Sequence, residues 1–218
     1  MDIKVSHNTV IVFDLDDTLY NEIDYLKSAY KSIAIFLEPN HWKPLYSKMF
    51  TLYRCKMNVF EFLANTYGVE KDNLLDMYRN HNPDIQLFDG VLELFEAIKS
   101  KNGKIGLLTD GRSKTQRAKI KSLGIENYID KIIISEEIGS EKPNVANFKA
   151  IENVLPAIEY YYFADNLIKD FITAKTLNWK TIALVDNGKN IHFESQKNIT
   201  AEHEPHYYIL SFKDVHVF

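Results

Sequence analysis

Two aspartates that directly follow an apolar run are the residues of this sequence with the clearest chemical potential. Asp14 and Asp16 come after residues 10–13, which read Val-Ile-Val-Phe. Residues two apart in an extended backbone point to the same side. Negative charge at the edge of a buried core costs free energy unless a cation compensates it. The pair therefore suggests a site for a hard cation such as Mg²⁺, or a nucleophile with a neighbouring acid or base.

Four later apolar runs also end in hydroxyl or acidic residues. In a parallel α/β sheet the carboxyl ends of the strands share one edge, and ligands bind there. One such residue taken alone can simply start a loop or cap a helix. Five strand ends of this kind, with Lys142 nearby, indicate a common polar site. The four later ends are Thr109-Asp110, Ser135-Glu136-Glu137, Asp165-Asn166 and Asp186-Asn187.

Strand-like and helix-like segments alternate along most of the chain, which predicts a doubly wound parallel α/β sheet. Strands are predicted over about 9–14 and within the segments 104–111, 132–135, 160–165 and 181–186. Helices are predicted over about 90–100, 144–154 and 168–177, with a basic helix that contains Gln116 and Leu123 and ends at Gly124.

An all-helical block interrupts this alternation after the first strand. Leu26, Tyr30, Ile33 and Leu37 fall on one helical face. A second helical stretch is predicted from about 44 to 67 and a third, capped by Asp72, to about 78. We expect a core domain of residues 1–19 and 86–218, and an inserted helical cap domain of residues 20–85.

The bulk composition excludes several classes of protein. The chain has 218 residues, 45% of them hydrophobic, with a formal net charge of −4 and a pI of about 6.0. This charge balance argues against a general nucleic-acid or anionic-membrane binder and is compatible with a small anionic substrate. The single cysteine, Cys55, suggests a reducing compartment, and with no visible secretory signal or membrane span we expect a cytoplasmic protein. The oligomeric state stays open.

Four short motifs occur in order along the chain. They are Asp14-Leu15-Asp16-Asp17-Thr18, Thr109-Asp110-Gly111, Lys142-Pro143, and the segment from Ala164 through Asp165 to Asp170. Together they resemble the motifs of the haloacid dehalogenase superfamily, in its phosphatase branch with a helical C1-type cap. The sequence departs from the usual pattern at Ala164, where glycine is common, and at Asp110, where asparagine is common.

The resemblance implies a role for each motif residue. Asp14 would be the nucleophile that forms an aspartyl-phosphate, and Asp16 the general acid and base. Mg²⁺ would be held by Asp14, Asp165 and the backbone carbonyl of Asp16. The substrate phosphate would be bound by Thr109, by Lys142 and by the backbone amide of Asp110, and Asp170 would orient Lys142 or metal-bound water.

These roles predict a Mg²⁺-dependent phosphatase of small phosphomonoesters, such as a nucleotide or sugar phosphate. A phosphomutase of the same superfamily is the alternative. A dehalogenase fits less well, because that reaction has no alkoxide for Asp16 to protonate. A catalytically silent binding module is the remaining alternative, against which the intact acids and lysine argue.

Overall fold

Strand β2 (Thr9–Phe13) is buried along its whole length and lies near the centre of a six-stranded sheet. The structure is a computed structural model that describes residues 1–192 and 199–218. All neighbouring strands in this sheet pair in parallel, which confirms the predicted α/β fold. The strand order is β4 (Lys131–Ile134), β3 (Lys104–Thr109), β2, β5 (Glu159–Ala164), β6 (Lys180–Leu184) and β7 (Tyr207–Ile209).

Both faces of the sheet are covered, as the continuous apolar runs of its central strands require. Val10 and Val12 contribute to one buried cluster, with residues of α8 (Val145–Val154) and α9 (Phe171–Thr176). Phe13 faces the opposite side, where its ring packs against Phe95 and Phe163. Phe95 belongs to α5 (Val91–Ser100).

The remaining elements of the larger unit are short or peripheral. Helix α6 (Ser113–Ser122) follows β3, and the four-residue helix α7 (Ser135–Ile138) follows β4. A separate pair of parallel two-residue strands, β1 (Asp2–Ile3) and β8 (His216–Val217), joins the two ends of the chain. Strands β1, β7 and β8 were not predicted, because each has only two or three residues and so shows no periodic pattern.

The chain divides into two compact units, residues 1–22 with 86–218 and residues 23–85. The smaller unit contains four helices: α1 (Glu22–Leu37, from Ile23 onward), α2 (Trp42–Arg54), α3 (Val59–Tyr67) and α4 (Lys71–Asn80). That this unit acts as a cap stays a prediction.

Two predicted helices have different bounds in the structure. The single stretch expected over 44–67 is two helices, because Lys56 has a positive φ of 58° and the Asn58 side chain caps α3 by accepting from the Glu61 N–H. The helix expected from 168 starts at Phe171. Before it, the Asn166 side chain accepts from the Ile168 N–H, and this bond holds the residues that precede α9 in a turn.

No helix among residues 1–192 and 199–218 is long and apolar enough to cross a membrane.

Candidate active site

The carboxyl ends of three adjacent strands bring the predicted site residues together. Asp14 follows β2, Thr109 ends β3 and Asp165 follows β5. The register pairs Phe13 with Phe163, and the Asp14 N–H donates to the Phe163 carbonyl at 2.9 Å. One pocket is lined by all seven predicted site residues and by five others. They are Asp14, Asp16, Thr109, Asp110, Lys142, Asp165 and Asp170, with Asp17, Glu22, Asn166, Lys169 and His192.

The Asp14 carboxylate is buried between two donors. Lys142 Nζ lies 2.7 Å from Oδ1, and the Thr18 hydroxyl donates to Oδ2 at 3.2 Å. Burial raises the pKa of Asp14 to about 7, although the Lys142 ammonium opposes that shift. This carboxylate is held in one orientation, and added positive charge beside it would favour its ionised form.

Lys142 is a buried cation with three partners. Its Nζ lies 2.7 Å from Asp14 Oδ1, 2.7 Å from Asp170 Oδ1 and 3.1 Å from the Tyr162 hydroxyl. Burial acts to lower the pKa of Lys142, but the two carboxylates outweigh it and the pKa lies well above its usual value. The ammonium therefore stays charged and close to the nucleophile candidate. The contact with Asp170 is compatible with the predicted orienting role.

Three carboxylates provide a donor set that fits a hard divalent cation. Ligand oxygens of Asp14, Asp165 and Asp170 lie within 4.8 Å of one another. Burial, with the charges of Asp14 and Asp170, raises the pKa of Asp165 well above its usual range. Such crowding of buried acids is relieved by a bound cation, and oxygen ligands of this kind suit Mg²⁺. Asn190 Nδ2 donates to Asp165 Oδ2 at 2.9 Å and orients that carboxylate.

Asp16 has partners that the motif pattern did not reveal. Lys119 Nζ lies 2.6 Å from Oδ1, Gln116 Nε2 donates to Oδ2 at 2.9 Å, and the Tyr20 hydroxyl also donates to Oδ1. Burial acts to raise the pKa of Asp16, but Lys119 and these hydrogen bonds outweigh it and the pKa lies below its usual range. Both carboxylate oxygens are therefore held by donors.

Thr109 and Asp110 of the second motif form hydrogen bonds to Gln116 and to Lys142, respectively. Gln116 Nε2 also donates to the Thr109 hydroxyl, at 2.5 Å. The Asp110 side chain accepts from the Lys142 backbone N–H at 3.1 Å, so this carboxylate fixes the loop that carries the lysine. The predicted phosphate contacts of Thr109 and of the Asp110 amide stay predictions.

Sequence reasoning gave no role to Tyr20, Lys119, Tyr162 or Asn190. Gln116 was likewise given no role. One signal was present: Gln116 and Lys119 are three residues apart on a predicted helix and share a face. The strand residue Tyr162 and the loop residue Asn190 offered no comparable pattern.

A parallel sheet with acidic strand ends, a buried lysine and a cluster of three carboxylates is typical of the active site of a doubly wound α/β enzyme. The chain belongs to the haloacid dehalogenase-like hydrolase family, whose model matches residues 11–184. The predicted superfamily is thereby confirmed.

Two proteins with similar sequences are a phosphatase and a nucleotidase by name. A glyceraldehyde 3-phosphate phosphatase of Methanocaldococcus jannaschii is 26% identical over 194 residues, which span 80% of this chain and 84% of that protein. The pyrimidine 5'-nucleotidase YjjG of Escherichia coli is 36% identical over 86 residues, covering 39% of this chain and 38% of YjjG.

A solved structure supports the fold. The HAD-hydrolase YfnB from Bacillus subtilis, bound to magnesium, superposes with a TM-score of 0.65 at 20% identity and covers 94% of this chain and 96% of its own.

Proposed function

We propose that this protein is a Mg²⁺-dependent phosphatase that hydrolyses small phosphomonoesters, such as a nucleotide or sugar phosphate, through an aspartyl-phosphate on Asp14. The observation that carries the proposal is the buried Asp14–Lys142 pair beside the Asp165 carboxylate. This arrangement combines an oriented nucleophile, a fixed cation and ligands for a metal. The single cysteine favours the cytoplasm as its compartment.

In the first half-reaction a carboxylate oxygen of Asp14 forms a bond to phosphorus while the bond to the leaving oxygen breaks. Asp16 would give a proton to the departing alkoxide. This step requires that the pKa of Asp16, which Lys119 and the hydrogen bonds hold low in the free protein, rises when the anionic ester binds beside it. In the second half-reaction water attacks the phosphorus of the aspartyl-phosphate and gives a proton to Asp16. Phosphate leaves, and the Asp14 carboxylate is restored.

The phosphate would be bound by the Thr109 hydroxyl, the Asp110 backbone N–H and the Lys142 ammonium. These donors act in a buried site, where each is worth more than in water. Asp14, Asp165 and the Asp16 carbonyl would hold Mg²⁺, which supplies neutralising charge between an anionic nucleophile and an anionic ester. The role of residues 20–85 as a cap that contacts the leaving group belongs to the same proposal.

The phosphatase reading is supported by the names of the similar proteins and by Asp16. Both relatives described above are named as enzymes that remove phosphate from small esters. An acid that can protonate an alkoxide has no task in carbon–halogen cleavage. A phosphomutase would use the same aspartyl-phosphate, but its product is an isomeric sugar phosphate.

The test is hydrolysis of p-nitrophenyl phosphate with Mg²⁺ and with EDTA, followed by a panel of sugar phosphates and nucleotides. We expect metal-dependent release of inorganic phosphate. Metal-independent turnover would refute the proposal, and so would full activity in Asp14→Asn. Isomer formation without phosphate release would identify a mutase. Absence of turnover on every ester, together with no beryllofluoride complex, would indicate a silent binding module.

A further inference from the structure

Lys119 is a buried lysine outside the four motifs. Its side chain is only 5% exposed, and its Nζ lies 2.6 Å from Asp16 Oδ1. Lys114 and Lys121, on the same helix α6, are both exposed. A lysine is seldom buried unless it is paired, and an apolar side chain would fill this position at a lower desolvation cost. The position therefore calls for an explanation beyond packing.

Lys119 is part of a group of three donors that surround one carboxylate. Tyr20 and Lys119 donate to Asp16 Oδ1, and Gln116 donates to Oδ2. Gln116, which is 2% exposed, also donates to the Thr109 hydroxyl. One face of α6 therefore fixes the Asp16 carboxylate relative to the hydroxyl at the end of β3.

We propose that Lys119 is a positioning residue that holds the Asp16 carboxylate where it can reach the leaving oxygen. This inference rests on the proposed function. A general acid must lie within hydrogen-bond reach of the atom that it protonates, so a displaced carboxylate loses its contribution to the rate. Lys119 itself contacts neither the phosphate nor the leaving group in this account.

The test uses the dependence of the rate on the leaving group. An alkyl ester such as glycerol 3-phosphate needs protonation of its leaving oxygen, whereas 2,4-dinitrophenyl phosphate releases a stable phenolate. kcat/KM reports only the steps up to formation of the aspartyl-phosphate. The later step, in which Asp16 accepts a proton from water, therefore does not affect it. In Lys119→Met we expect kcat/KM to fall about 100-fold for the alkyl ester and less than about 3-fold for the dinitrophenyl ester.

Two variants serve as controls. Lys121→Met removes an exposed charge from the same helix, and both esters should keep their wild-type kcat/KM. Lys119→Arg retains a cation and should recover most of the alkyl-ester activity. Equal losses on both esters in Lys119→Met would indicate a merely structural role and would overturn the proposal, as would no loss on either.

Removing Lys119 alone leaves the partly buried Asp16 carboxylate with two hydrogen bonds but no cation, and this risks unfolding. Asp16→Asn/Lys119→Met removes both charges and is compared with Asp16→Asn. We expect the two to have the same kcat/KM for the alkyl ester. A further loss in the double variant would show that Lys119 acts elsewhere than through Asp16.

A crystal structure of Lys119→Met with Mg²⁺ gives a readout that does not depend on turnover. The Asp16 carboxylate should leave its wild-type position, and an unmoved carboxylate would contradict the proposal. Lack of wild-type activity on any ester would instead refute the proposed function, so the two failures are distinguishable.

Discussion

Lys142 Nζ and Asp14 Oδ1 lie 2.7 Å apart although 128 residues separate them in the chain. Both side chains are nearly inaccessible to solvent, at 4% and 8% exposure. The pair is completed by Asp170, 2.7 Å from the same ammonium. A buried cation between two carboxylates both orients the nucleophile and balances its charge, so this relationship underlies the first prediction.

Lys142→Met should lower kcat for p-nitrophenyl phosphate by about 100-fold or more, because it removes a fixed charge beside the phosphate. It should also lower the free energy of unfolding by roughly 3–5 kcal/mol in the absence of metal, since two buried carboxylates lose their cation. Steady-state kinetics and urea unfolding measure the two effects. Lys149→Met, in an exposed pair with Glu152, is the control and should behave as wild type. Unchanged kinetics in Lys142→Met would exclude the lysine from catalysis.

Tyr162→Phe tests how far the orientation of Lys142 depends on its third partner. The Tyr162 hydroxyl accepts from Lys142 Nζ and donates to Asp170 Oδ1 at 2.8 Å. Because the direct contact between Lys142 and Asp170 remains, we expect only a small effect. The activation free energy should rise by about 1 kcal/mol, which lowers kcat roughly 5-fold. Tyr161→Phe removes a hydroxyl that bonds Lys180 and should leave kcat unchanged. A Tyr162→Phe enzyme with wild-type kcat would show that the two carboxylates suffice.

Asn190→Ala should weaken Mg²⁺ binding by roughly 10-fold, because its amide orients the Asp165 carboxylate and partners of metal ligands typically have effects of this size. The Mg²⁺ concentration for half-maximal activity measures the change. Asn187→Ala, whose amide bonds Asn21, is the matched control on the same loop. If both variants need the same Mg²⁺ concentration as wild type, the Asn190 contact does not position a metal ligand.

The effect of Mg²⁺ on thermal stability should increase with pH. Burial raises the pKa of Asp14 from 3.8 to about 7. Between these values the folded, metal-free protein binds more protons at this site than the unfolded chain, so its contribution to stability falls as pH rises. Asp165, with its raised pKa, acts in the same direction. A cation that binds the ionised carboxylates offsets this loss.

Scanning calorimetry with and without Mg²⁺, at about pH 5.5 and about pH 8, measures the predicted difference. The increase in Tm caused by Mg²⁺ should be larger at the higher pH. Because Tm with Mg²⁺ is compared with Tm without it at the same pH, the titration of groups that the metal does not contact affects both values equally. The lowered pKa of Asp16 acts below pH 3.8, outside this window. An equal or smaller increase at the higher pH would argue against metal binding by these acids.

The sequence was sufficient to predict the three strands whose ends carry the site, but it also assigned the ends of β4 and β6 to it. Residues 135–137 and 186–187 do not line the pocket. Asp14, Thr109 and Asp165 each stand at the end of an apolar run, and a parallel sheet places such ends side by side whatever the details of packing. Lys142 lies on a loop, so the prediction that it binds the phosphate depended on the family resemblance.

Contacts between distant side chains could not be predicted in the same way. Lys119 and Asp16 are 103 residues apart, and their pairing depends on how α6 packs beside the sheet. The contact of Asn190 with Asp165 likewise depends on the path of a loop. The break between α2 and α3 was missed because the prediction of one helix over about 44–67 gave no weight to Asn58, a residue type that commonly caps helices.

The most direct test of the account is detection of phosphate on Asp14. The protein is mixed with Mg²⁺ and a rapidly hydrolysed aryl phosphate, quenched in acid within the first turnover, digested and analysed by mass spectrometry. We expect the mass of a phosphoryl group on the peptide that contains Asp14 in wild type, and none in Asp14→Asn, which should also be inactive. A phosphoryl group on another residue, or full turnover by Asp14→Asn, would contradict the account.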